Sequence, residues 1–330
     1  MLPHVANRQT SIWRHLLPWL ISAGALGYVF GFAIDWASIP RATESANLQL
    51  FIFVTVVDKI AFFLAWAFIQ TKAIRVFVEP VSIRALLSVK GAAELLRTGS
   101  NLLSDGAFLF GVSQLVKDRV ATVLAVIIVP FGAHFFVLLC QATLALPFLE
   151  GGPGNNLDVT LAVGIGWTTI AAGIVAVRSG HWPRLLRRIG LESWAGRLTV
   201  RKLAPIIGWF AVFAAFDVLI QGLASRAFGI PIPWIDLAGR IPLLYVAISL
   251  PSFGNFGVRE IAWSSLFLDY GTSEGLIAFA LWTNAIFAVM HALVGSLFVG
   301  RAITLWKQLR EARKQGTTMP SPILRDGIDR

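Results

Sequence analysis

The chain has 330 residues, of which 56% are apolar and 14% charged, and it carries a formal net charge of +10. A water-soluble domain averages about a quarter charged residues and under half apolar ones, so this composition excludes that class. The single cysteine, Cys140, excludes a disulfide framework and a thiolate metal cluster.

The apolar residues fall in blocks of roughly 20, the length that crosses a bilayer as a helix. Full spans are predicted near 16–34, 48–70, 120–147, 157–177, 203–224 and 276–299. The first, LLPWLISAGALGYVFGFAI, has no clean small-residue cleavage site and reads as a retained span. The second contains Asp58 and Lys59, the third His134, the fifth Asp217, and the sixth Asn284 and His291. Asp58 and Asp217 each lie near the middle of a span. An acid at that depth is a candidate for ion or proton coupling. The two histidines are expected to make interhelical hydrogen bonds. Two further stretches, 80–116 and 231–271, are apolar but interrupted. Within the second, Asp236 and Arg240 are four residues apart, the spacing of an ion pair on one helical face.

The basic residues do not form a nucleic-acid face. They gather in short segments between apolar blocks, which is how membrane proteins fix orientation. Arg8 and Arg14 precede the first span, and Lys72, Arg75, Arg84 and Lys90 follow the second. The linker 178–202 and the tail after residue 300 are also basic, whereas LEGGPGNNLD has no lysine or arginine. The basic segments, and both termini, are therefore expected on the cytoplasmic side of a bacterial-type inner membrane. The linker, with Arg184, Arg187 and Arg188 among apolar residues, is expected to lie on anionic lipid of the inner leaflet.

This orientation makes 80–116 a hairpin entered from the inner side and 231–271 one entered from the outer side. Either could dip halfway or cross fully. The expected class is thus an all-α polytopic membrane protein: six full spans and two hairpins, arranged as two inverted-topology repeats over 1–149 and 150–330. Inverted repeats with broken helices are the architecture of secondary transporters, whose sites lie where the repeats meet. At an offset of about 154 residues, Asn101 falls opposite Asn255 and Asp105 opposite Arg259.

The second hairpin turns at PSFGNFGVRE, residues 251–260. Pro251 ends the preceding helix, while Gly254 and Gly257 permit backbone angles closed to other residues. A new helix is predicted to begin around Val258, with Arg259 in its first turn, where free amides favour an anion. Arg259 and Glu260 leave a helix about 100° apart, so each needs its own partner. Asp105 is the expected partner of Arg259. The two turns are expected to meet and form a polar cavity, with Arg259 on a lipid phosphate. Glu260 and Asp105 would hold the cationic part of the headgroup, and Asn101, Asn255, Gly254 and Gly257 would shape the site.

PSFGNFGVREIAWSSLF resembles the lysylphosphatidylglycerol synthase transmembrane region, the flippase-like membrane family, whose C-terminal half carries a proline, a glycine-rich turn and a glutamate. Pro251, Gly254, Gly257 and Glu260 match these. The resemblance implies movement of a phosphate-bearing glyco- or aminolipid between leaflets. It covers the membrane unit, and a synthase domain is not expected in the 330 residues. Asn255 in place of a second glycine, and Ser104 in place of a proline, leave two readings open: a different lipid, or drift from the family pattern. No zinc-helix motif, phosphate loop, nucleophile elbow or CxxC is present, so neither an enzyme nor a cofactor is expected. Two other readings stay open: a membrane glycosyltransferase using Asp35, Glu44, Glu150 and Asp158, and a non-transporting scaffold.

Overall fold

The structure, a computed structural model, describes residues 36–97, 101–116, 124–150, 156–179, 198–249 and 255–314, together with Gly24, Gly27 and Gly31. All regular structure among them is helical. The helices are α1 (Ser38–Glu44), α2 (Leu48–Phe77), α3 (Ile83–Arg97), α4 (Asn101–Leu115), α5 (Val129–Ala145), α6 (Leu157–Arg178), α7 (Val200–Ala227), α8 (Trp234–Ile248), α9 (Val258–Leu266), α10 (Ser273–Leu297) and α11 (Val299–Lys314). A short π turn, Leu124–Ile128, leads into α5.

Five helices are long and apolar enough to cross a membrane: Leu48–Phe77, Val129–Phe148, Leu157–Ala176, Val200–Ala227 and Ser273–Leu297. They correspond to the second to sixth predicted spans; the first, 16–34, lies outside the described residues apart from its three glycines, as does most of the linker 178–202. The second span runs two turns beyond its predicted end, to Phe77. The helix starts are set locally. Asn47 Oδ1 accepts from Leu50 N at 3.1 Å, and Thr272 Oγ1 accepts from Gly275 N at 3.1 Å. The outer faces are also apolar: Val212 is 63% exposed and Leu297 80%. A helix greasy on its outside as well as its inside is solvated by lipid.

The two interrupted stretches form hairpins of short helices, α3–α4 and α8–α9. Three of the arms have 15 residues and α9 has 9. At 1.5 Å per residue, a 15-residue arm reaches about 22 Å, short of the roughly 30 Å hydrocarbon layer.

Helix α2 packs against α3, α5, α7 and α10, with an aromatic knot at one end where Phe51 meets Phe228 and Phe279 at 5.0 and 5.4 Å. Both hairpins lean on α10, which packs against α3 of the first and α9 of the second. Among the described residues, helix α6 packs most closely on α5 and α8.

The α3–α10 contact depends on Gly295. A Cβ there would fall 2.5 Å from Leu95 Cγ and 2.8 Å from the Leu95 backbone nitrogen. A backbone atom cannot swing aside as a side-chain tip can, so the helices would have to separate. Gly295→Leu is expected to lower stability by about 1–3 kcal/mol, read as a fall in thermal midpoint of the detergent-purified protein.

Candidate functional site

The turn before α9 has the backbone its sequence demands. Asn255 and Gly257 have φ of 65° and 84°, the left-handed region, which asparagine and glycine adopt most readily. Helix α9 begins at Val258. Glu260, fully buried, folds back so that Oε2 accepts from Gly257 N at 2.6 Å, while Oε1 accepts from Asn284 Nδ2 at 2.8 Å. Asn284 also donates to the Asn255 carbonyl at 3.4 Å. One side chain of α10 thereby clamps the turn. Gly254 and Pro251 lie outside the described residues.

Arg259 goes the other way. Its guanidinium is buried, lies over the Phe287 ring at 4.8 Å, and makes no hydrogen bond or ion pair among the described residues. The Glu260 carboxylate, then those of Asp58 and Asp217, act on it through space without touching it. The predicted Asp105–Arg259 pair is replaced by another: Arg97 Nη2 meets Asp105 at 2.9 Å. Arg97 is only eight residues away across the same hairpin, so the local partner wins.

Around Glu94, helix α3 builds a charged network. The buried Glu94 carboxylate meets Arg97 at 3.4 Å, Lys59 at 3.9 Å and His291 Nδ1. Lys90, one turn earlier, is buried, donates to Gln70 Oε1 at 3.2 Å and sits over the Phe108 ring at 5.0 Å. Lys90 is therefore no solvated orientation charge, as its place among the basic residues led one to expect. Positions 90, 94 and 97 share a helical face, and that face turns inward.

These groups line one cavity of about 270 Å³. Asp105 comes from the first hairpin and Asn255 and Arg259 from the second, with Asp58 and Lys59 contributed by α2. Glu260 and Gly257 stand behind the wall, and so does Asp217, beside the lining residues Tyr245 and Gln221. Asn101 opens α4. His134 lines the cavity within an aromatic box of Trp66, Phe210 and Tyr245 at 5.1–5.5 Å, and makes no hydrogen bond among the described residues. His291 instead contacts Glu94.

The predicted Asp236–Arg240 pair also gives way to tertiary partners. Arg240 binds Asp269 at 3.0 Å and Asn156 at 3.0 Å, while Asp236 accepts from Glu150 N at 3.4 Å. That cluster ties the start of α6 to the end of the second hairpin. No group of three or more His, Cys, Asp or Glu able to hold a metal occurs among the described residues.

Comparison with family models, with curated proteins and with solved structures found no match to this chain.

The geometry makes Glu260 a structural group. Glu260→Ala is expected to cost about 1–3 kcal/mol, because Gly257 N–H and the Asn284 amide lose a buried acceptor. Glu260→Gln, which still accepts through one oxygen, should lose less. Thermal unfolding of the two purified variants checks the order.

Proposed function

We propose that this protein is a flippase-like lipid transporter, moving a phosphate-bearing lipid between the leaflets of a bacterial-type cytoplasmic membrane. The observation that carries the reading is Arg259, a buried guanidinium facing a cavity with no hydrogen-bond acceptor of its own among the described residues. A guanidinium stays charged under all conditions and matches the oxygens of a phosphate in pairs. Two buried hairpins meeting at one polar cavity fit a design in which two inverted repeats enclose a central site, with both termini on the cytoplasmic side.

A second feature favours a lipid over a soluble anion. An apolar groove of about 310 Å³ runs between α5, α6 and α8, and Phe135 lines both it and the polar cavity. A headgroup in the cavity would leave its chains in that groove, in contact with the bilayer. The likeness of residues 251–267 to the flippase-like family adds to this reading. Asp58 and Asp217, buried on the packed helices α2 and α7, are the candidates for ion or proton coupling. Each keeps one carboxylate oxygen without a hydrogen bond among the described residues.

The test is leaflet exchange in phosphatidylcholine–phosphatidylglycerol vesicles carrying fluorescent phosphatidylglycerol, with fluorescent ceramide as a phosphate-free control. Arg259→Gln should slow phosphatidylglycerol exchange about tenfold or more, since one charge-assisted bond is worth about 1.5–3 kcal/mol. Gly132→Leu should also slow it. Gly132 lines the groove with open space beside it, so the new side chain fills the chain path without a clash. Both variants should keep a wild-type melting temperature. Wild-type vesicles that exchange no faster than empty ones would refute the reading.

A further inference from the structure

Arg259 accounts for one anionic position, but the same cavity holds a second cation that it leaves unexplained. Lys90 lies on α3 of the other hairpin and is buried to 8% exposure. Its ammonium has three N–H donors, and among the described residues Gln70 Oε1 is the acceptor it reaches, at 3.2 Å. It forms no ion pair among the described residues, although Glu94 is one turn away. Glu94 is already shared by Arg97, Lys59 and His291. A methionine or leucine would cover Phe108 without burying a charge, so packing gives no reason for a lysine here.

The two cations belong to one continuous site. Arg259 and Lys59 approach the same Phe287 ring, at 4.8 and 5.3 Å, and Lys59 leads through Glu94 to the charged face of α3. A volume of about 270 Å³ equals roughly nine waters at ~30 Å³ each, which exceeds what a lone phosphate fills. The two positions also differ in kind. Arg259 offers a planar fork, whereas Lys90 and Lys59 offer point charges.

Building on the phosphate-lipid reading, we propose that the cavity is built for a headgroup with two linked phosphates, a lipid diphosphate. Arg259 takes one phosphate and Lys90, supported by Lys59, takes the other.

The experiment measures binding to the full chain in detergent, by quenching of its tryptophan fluorescence, with farnesyl diphosphate and farnesyl monophosphate as probes. The wild type should bind the diphosphate about tenfold more tightly, the effect of one added charge-assisted contact. Lys90→Gln should erase that preference by weakening the diphosphate more than the monophosphate, and Lys90→Arg should retain it. Arg259→Gln should weaken both probes. Equal binding of the two probes by the wild type overturns the proposal whether or not any variant folds. So does a Lys90→Gln protein that keeps both the preference and a wild-type melting temperature. Inorganic diphosphate should compete only weakly; competition as strong as that of farnesyl diphosphate would make the ligand a free anion and refute the lipid. A two-phosphate preference in a protein that exchanges no lipid would support this inference and refute transport. Exchange without the preference would refute this inference alone.

Discussion

An ion inside a bilayer must be solvated by the protein or it will not stay there, and this constraint organises the centre of the molecule. One face of α10 supplies much of that solvation. Asn284 holds the turn of the second hairpin, Phe287 lies under Arg259 and Lys59, and His291 meets Glu94 of the first hairpin. These positions fall at the three- and four-residue spacing that keeps side chains on one side of a helix. Gly295, one turn further, lets that side come close enough to α3 for the contacts to form. The two hairpins are held together through a shared wall helix.

Two groups stand out among the charged residues of the bundle. Glu260, Asp105 and Arg240 have close partners at 2.6–3.0 Å and shape the fold: one closes a turn, one joins the arms of a hairpin, and one anchors α6. Removing Asp269 would leave the buried Arg240 guanidinium with less compensation, so that position is structural first. Arg259 and Lys90 lack a carboxylate partner among the described residues and face the cavity. A buried charge kept without a matching charge is a costly arrangement for a scaffold and a useful one for a binding site.

Much of the helical plan could be read from the chain. The spans are legible because about 20 apolar residues have few alternatives to a membrane helix, and the start of α9 at Val258 is legible because a glycine-rich turn precedes a helical pattern. Arg259 and Asp58 were visible as charges in apolar surroundings. Lys90, Glu94 and Arg97 were harder to see. Counting basic residues to orient a membrane protein treats each lysine as solvated, and Lys90 sits next to others that are. Its spacing from Glu94 and Arg97 was the available signal. Partner identities were not legible at all. Local spacing offered Asp236 to Arg240, yet the fold brought Asp269 and Asn156, neither of which sequence proximity could nominate.

The crowding at Glu94 has an evolutionary consequence. One carboxylate serves groups from three helices: Lys59 on α2, Arg97 on α3 and His291 on α10. Residues that share a partner respond to substitution non-additively. A change at any of the four positions thus alters the background against which changes at the other three are judged. Substitutions there are contingent on one another, and the first and second halves of the chain cannot diverge independently at this point. Single replacements will look harsher than the paired exchanges that restore balance, so routes between related sequences must pass through compensated steps.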